Sequence, residues 1–261
     1  MRKMLPVLMA VLMAAWMTPQ LAAGEKAAPG KIRVLLVTGG HAFEKPQFFK
    51  VFEDNPEITF EAVEHPNPKD KNAPAADPMA AKFRPDAAKS YDVIVLYDMW
   101  QKITDETKAD FVALLKSGKG LVVLHHAIAN YQDWEEYPKI FGARYYLKPT
   151  LVNGVEKARC QWKHGVKMNV HIADAKHPIA RGLKDFEITD ETYKGYDIRP
   201  EVKPLLTTDE PLSSPTVGWT HTYGKARVAY LQLGHDHLAY ENPNYCRLVA
   251  QAIRWTAGKT R

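Results

Sequence analysis

Residues Gly120–Leu124 constrain the fold more than any other stretch. They form a short apolar run entered from Gly118 and Gly120 and stopped by the adjacent pair His125-His126. A run of this length, apolar without alternation, reads as a buried strand of a parallel sheet. In open α/β sheets the binding crevice lies outside the carboxyl ends of the strands, so the two histidines stand where a site is expected. Strand alternation carried through the pair sends His125 and His126 to opposite faces. Either one can equally be a satisfied polar residue at a strand exit, because histidine is intermediate in burial.

The rest of the chain fits that strand into a larger pattern. Lys31–Thr38 reads as a first strand that runs into the turn Gly39-Gly40-His41, and Pro46–Phe52 carries apolar residues at helical spacing. The G-x-G-x-x-G fingerprint is absent after this strand, which excludes dinucleotide binding there. Ile58–Glu64 and Asp92–Tyr97 read as further strands, separated by a Pro-, Ala-, Asp- and Lys-rich loop over 67–85 with room for a helical turn. Thr104 is the expected cap of a helix that Gly118 closes. Strand and helix alternate through this half, which predicts an α/β fold with a doubly wound, mostly parallel sheet.

The second half is less regular. Val166–Ile172, Phe186–Tyr193 and Val202–Thr207 read as extended segments. Thr216–His221 and Arg227–Leu233 flank a hairpin at Tyr223-Gly224-Lys225, and Asn242-Pro243 opens a final helix. No internal repeat or second domain boundary is visible.

The amino terminus has the features of a secretory signal peptide over residues 1–24: Arg2 and Lys3, an apolar stretch from Leu5 to Met17, then Ala22, Ala23 and Gly24. Residues 25–30 read as a linker, 31–258 as one domain and 259–261 as a tail. The expected location is therefore periplasmic or secreted, and no later run is long and apolar enough for a membrane span. Removal of Arg2 and Lys3 takes the formal net charge from +5 to +3. The remaining basic residues are scattered, so no nucleic-acid footprint is present. Cys160 and Cys246 can form a bridge in an exported protein or lie separately as small buried hydrophobes.

Polar groups recur at the strand ends: His41, Asp98, His125-His126 and the segment Gly234-His235-Asp236-His237. The topology rule brings these to one edge of the sheet. Two chemistries follow. Imidazoles with a carboxylate suit a divalent metal, and His41, His235 and His237 are the candidate ligands, joined by His125 or His126 and Glu191. Without a metal, a histidine paired with Glu191 or Asp236 suits general acid–base catalysis. Asp236 and His237 also read simply as a turn residue and a surface residue. Covalent catalysis is disfavoured, because no G-x-S-x-G or G-x-C-x-G motif follows the strand at Leu121. Trp100, Trp134, Tyr131, Trp219, Tyr193 and Tyr240 lie near strand ends, where aromatic faces can stack on sugar rings or simply pack.

Several stretches together resemble the ThuA-like (trehalose utilisation) family of the class I glutamine amidotransferase-like superfamily. They are Val34–His41, Gly120–Ala127, His177–Leu183, Phe186–Tyr193, Val217–Lys225 and Gln232–Asp236, in order along nearly the whole chain. The resemblance implies a flavodoxin-like three-layer α/β/α sandwich. In glutamine amidotransferases the strand matching Gly120–Leu124 ends in a nucleophile elbow. Here His125-His126 stand in that place, so glutaminase activity is not implied. The family's link to disaccharide use implies action on a disaccharide or its 3-keto derivative, with a sugar dehydrogenase as pathway partner. A ketone at C3 acidifies the C2 proton, so a base can drive eliminative cleavage, hydrolysis or isomerisation. The expected catalytic residues are His125, His126 and Glu191. His41, Asp98, Trp100, Trp219, His221 and His235 are expected to contact substrate. The competing reading is a non-catalytic carbohydrate-binding or accessory protein on the same fold.

Overall fold

A computed structural model describes residues 30–66 and 77–259. The expected signal peptide, most of the expected linker and most of the loop after His65 lie outside the described residues. The first half comprises β1 (Ile32–Gly39), α1 (Lys45–Glu53), β2 (Ile58–His65), α2 (Pro78–Phe83), β3 (Val93–Asp98), α3 (Asp105–Ser117), β4 (Gly120–Leu124) and α4 (Tyr137–Phe141). Short strands β5 (Ala143–Arg144), β6 (Thr150–Val152) and β7 (Val155–Lys157) follow. The remainder comprises β8 (Gln161–Ile172), β9 (Phe186–Lys194), β10 (Asp197–Ile198), β11 (Lys203–Thr207), β12 (Thr216–Tyr223), β13 (Ala226–Leu231), α5 (His237–Tyr240) and α6 (Pro243–Thr256).

The main sheet has nine strands in the order β2-β1-β3-β4-β13-β12-β11-β8-β9. From β2 to β13 the neighbours are parallel, and from β13 to β9 they are antiparallel. The expected α/β fold and parallel core are therefore present, with an antiparallel extension built from the less regular half.

Both faces of the parallel half are covered, which is why its strands carry uninterrupted apolar runs. Val122 and Leu124 of β4 face one core with Phe48, Phe52, Leu248 and Ile253 from α1 and α6. Leu121 and Val123 face the other, with Phe83, Phe111, Leu115 and Phe141 from α2, α3 and α4. This gives three layers.

Local chemistry sets the helix ends. Thr104 accepts the Thr107 N–H at 3.1 Å, and Gly118 closes α3 in the left-handed region. Asn242 accepts from Asn244, with Pro243 in the first turn of α6. Among the described residues no helix is long and apolar enough to cross a membrane. Cys160 and Cys246 are both free thiols. The Cys160 Sγ accepts from the Tyr146 N–H, and the Cys246 thiol donates to the Tyr240 carbonyl.

Two deviations position the site. Strand β4 stops at Leu124, and His125–Ala129 form a turn of 3₁₀ helix instead of extended chain. The β8–β9 ribbon joins the sheet only where His171 and Ile172 meet β11. Its free length folds over the carboxyl ends of β4 and β13, bringing Asp190, Glu191 and Tyr193 against His125 and the 234–235 segment.

Candidate functional site

The turn after β4 puts His125 in the left-handed region, at φ 48°. For a residue with a Cβ this costs on the order of 1–3 kcal/mol and persists only where the surroundings enforce it. Here they do. Nδ1–H donates to the Gln232 carbonyl at 2.6 Å, and the Tyr230 hydroxyl donates to the His125 carbonyl at 3.2 Å. The ring is fully buried. Its hydrogen on Nδ1 leaves Nε2 aimed at the cluster, since the partner of one ring nitrogen sets the role of the other.

Around Nε2 stand Glu191 Oε2 at 3.0 Å, the Tyr193 hydroxyl at 2.8 Å and His235 Nδ1 at 3.2 Å. Tyr193 also donates to Glu191 Oε2 at 2.8 Å. His235 Nδ1 lies 3.3 Å from the same carboxylate oxygen, and His164 Nδ1 lies 3.1 Å from the other. Burial alone pushes the Glu191 carboxyl up, but His125 and His235 more than offset this and hold it well below the usual carboxylate range. Burial likewise works against charge on His235, yet Glu191 raises the ring above the ordinary histidine value.

A β-bulge delivers His164. Register is lost between Lys163, opposite Thr192, and Val166, opposite Asp190, so His164 and Gly165 together oppose Glu191. Gly165 takes φ 64°, the left-handed position that such a bulge favours. The extra residue aims His164 at the carboxylate. Trp162 lies opposite Tyr193 in the ribbon, half exposed, with its ring 4.7 Å from that of His164. The His164 ring in turn lies 4.4 Å from that of His235. The cluster thus grades from buried His125, through Glu191 and part-exposed His235, to exposed His164 and Trp162.

Asp190 holds the segment that carries His235. Its carboxylate accepts the backbone N–H groups of Gly234 at 2.8 Å, His235 at 3.0 Å and Glu191 at 2.8 Å. Gly234 has φ 115°, and a Cβ there would fall 2.4 Å from the Tyr245 hydroxyl. That position needs glycine on both counts.

Of the other expected site residues, His126 and His41 lie beside the cluster and the rest away from it. His126 is buried beside Tyr97 and His41, with ring centroids 4.5 and 4.9 Å away. Burial, with His125 and His41 nearby, holds its pKa well below the ordinary value. His41 is exposed, and its Nδ1 donates to the Ala42 carbonyl. Asp98 belongs to a second buried polar group at the ends of β2 and β3. It accepts from Asn130 at 2.8 Å and lies 3.3 Å from His65, whose ring stacks on Trp100. Trp219 is fully buried, and its indole N–H donates to the Phe141 carbonyl. His221 pairs with Val228 toward the amino end of β13, the sheet edge away from His125. The chain is not extended through 235–237. Asp236 caps α5, and His237 bonds Glu44 at the surface, separate from His235. His164, Asp190 and Gln232 join the cluster without having been expected there, and Tyr193, expected near the strand ends as a stacking or packing aromatic, joins it through its hydroxyl. Only the dipeptide His164-Gly165, a bulge signal beside a strand, could have pointed to one of them.

A family model described as ThuA, trehalose utilisation, matches residues 33–256. No curated protein matches the chain. Among solved structures, a ThuA-like protein from Parabacteroides merdae ATCC 43184 superposes with TM-score 0.71 at 21% identity, over 88% of this chain and 91% of that one. A ThuA-like protein from Bacteroides uniformis ATCC 8492 gives 0.66 at 19%, over 92% and 97%. A β-galactosidase from Bacillus circulans sp. alkalophilus gives 0.55 at 9%, over 87% of this chain and 31% of that enzyme. At these identities the structural likeness establishes the fold.

Proposed function

The chain belongs to the ThuA (trehalose utilisation) family, and from that premise we propose that it is an exported enzyme of carbohydrate metabolism that moves a proton on an oxidised disaccharide. The observation that carries this reading is the graded cluster His125–Glu191–His235–His164. A carboxylate and a raised-pKa imidazole share a hydrogen-bonding contact there, next to solvent, at the carboxyl ends of the central strands. His235 and Glu191 are the pair positioned to exchange a proton with a substrate. His125 stands behind them and is a positioning residue, because its ring is fully buried.

The substrate class follows from the family description and from the mouth of the cluster. Trp162 and His164 are exposed beside the proton-transfer pair, and an exposed aromatic there suits the apolar face of a pyranose. A 3-keto-glycoside has an acidified C2 proton, so removal of that proton by the Glu191–His235 pair leads to elimination or isomerisation without a covalent enzyme intermediate. A sugar dehydrogenase is the natural source of such a substrate.

The test is incubation of the purified protein with trehalose and with 3-keto-trehalose, followed by NMR of the sugar protons. Conversion of the keto sugar alone is the expected result, with loss of conversion in Glu191→Gln. Binding of either sugar with no conversion would replace this reading with that of a carbohydrate-binding accessory protein.

A further inference from the structure

We propose that His125 Nε2, His235 Nδ1 and the Glu191 carboxylate form a binding site for a divalent transition-metal ion of the Zn²⁺ class. The assignment uses the same cluster as the proton-transfer reading, but it stands on geometry that is independent of any substrate.

The three donor atoms lie 3.0, 3.2 and 3.3 Å from one another. Ligands bonded at about 2.0–2.2 Å to a four- to six-coordinate ion stand roughly 3.0–3.4 Å apart, so these separations are the edges of one coordination face. The donor set, two imidazole nitrogens and one carboxylate, is that of catalytic zinc sites that keep an outward position for water or substrate. Two imidazoles disfavour Mg²⁺ and Ca²⁺, which take oxygen ligands.

The hydrogen positions point the same way. His125 places its ring hydrogen on the Gln232 carbonyl, so Nε2 turns a lone pair toward the carboxylate. Nε2 and Glu191 Oε2 stand 3.0 Å apart, a separation that one ion bound to both would give. The Gln232 bond is also the outer contact that fixes the tautomer of a metal-ligating histidine. Tyr193 orients Glu191 Oε2 and Asp190 orients the His235 backbone, so both ligands are held from behind. On the exposed side His164 Nδ1 lies 3.1 Å from the other Glu191 oxygen.

The test uses the full mature chain, stripped with a strong chelator and then titrated with Zn²⁺ against a chromophoric competitor. In parallel, Co²⁺ is added as a spectroscopic probe. One equivalent bound per chain is expected, with cobalt ligand-field bands in the visible. His235→Ala and Glu191→Gln are each expected to weaken binding at least about tenfold and to abolish those bands, with unchanged circular dichroism. His237→Ala, on the surface salt bridge to Glu44, is the control and should bind as wild type. Absence of stoichiometric binding by the wild type would overturn the site. So would undiminished binding in both cluster variants, or equal loss in the His237→Ala control. The proton-transfer reading fails separately, if neither the metal-free nor the metal-loaded protein converts the keto sugar.

Discussion

His125 Nε2 lies 3.0 Å from Glu191 Oε2, although the two residues come from the turn after β4 and from the far ribbon strand β9. Both are buried, and His235 closes the group from the β13 exit. Replacing Glu191 with Gln preserves shape and removes the charge. Turnover of a 3-keto-glycoside is expected to fall by about 10²–10⁴-fold, the usual contribution of a positioned acid or base. Steady-state kinetics measures this, and a loss below tenfold would remove Glu191 from the chemistry.

Asp190 tests how the His235 segment is held. Its two oxygens accept three backbone N–H groups, and an Asn side chain would turn an amide against one of them. Asp190→Asn is expected to cost about 2–4 kcal/mol, given about 1.5–3 kcal/mol for a hydrogen bond to a charged group. Urea denaturation reads this directly. A change within about 0.5 kcal/mol would show that the segment is held by other contacts.

Gly234 faces Tyr245 closely enough to exclude any side chain. Gly234→Ala is expected to destabilise the fold by at least about 1–3 kcal/mol from the backbone conformation alone. Tyr245→Phe removes a buried hydroxyl with no hydrogen-bond partner among the described residues and is expected to be within about 0.5 kcal/mol of wild type. Thermal melts of the two variants should therefore diverge. Equal melting of Gly234→Ala and wild type would contradict the close approach.

Trp162 is half exposed, so its loss should not affect folding. If it stacks on the sugar, Trp162→Ala raises KM about 3–10-fold, corresponding to about 0.5–1.5 kcal/mol of ring contact, with kcat nearly unchanged. A fall in kcat at constant KM would assign Trp162 a different role.

His171 provides the pH test away from the site. A hydrogen bond from its ring to Asp185, with Asp209 near the other nitrogen, holds its pKa above the ordinary 6.5. The folded state binds this proton more tightly than the unfolded state. The stabilisation is therefore full below about pH 6.5 and fades as pH rises through the folded value. Proton NMR of the ring should show titration above 6.5 in the wild type and a return toward it in an Asp185→Asn, Asp209→Asn double variant. Wild-type titration at or below 6.5 would contradict the pairing.

Much of the scaffold was legible residue by residue. Thr104, Gly118, Asn242 and Pro243 act within a turn of their own positions, and each ends or begins a helix as its chemistry dictates. The apolar runs at Val34–Val37, Val93–Leu96 and Leu121–Leu124 need cover on both faces, which a parallel sheet between helices supplies. The antiparallel half was harder, because half-buried strands such as β8 expose one face and carry a weaker pattern.

The site was legible in part. His125, Glu191 and His235 were expected to meet, and the structure brings them together. Trp219 and His221 were expected to join them. They sit on β12, which runs antiparallel to β13, so its later residues lead away from the carboxyl edge. His235 and His237 were both expected as metal ligands, but Asp236 caps a helix that carries His237 away from His235.

The sequence by itself determined the alternation of strands and helices, the helix ends, and the polar break after Leu124, because each depends on neighbours a few residues away. Only the tertiary structure decided that the β8–β9 ribbon leans over the ends of β4 and β13. It also decided that a bulge at His164-Gly165 turns an imidazole toward Glu191. Those placements rest on contacts between residues 66 and 110 positions apart, such as His125 with Glu191 and with His235. Local periodicity carries no record of such contacts, since they arise only when separate elements pack against one another.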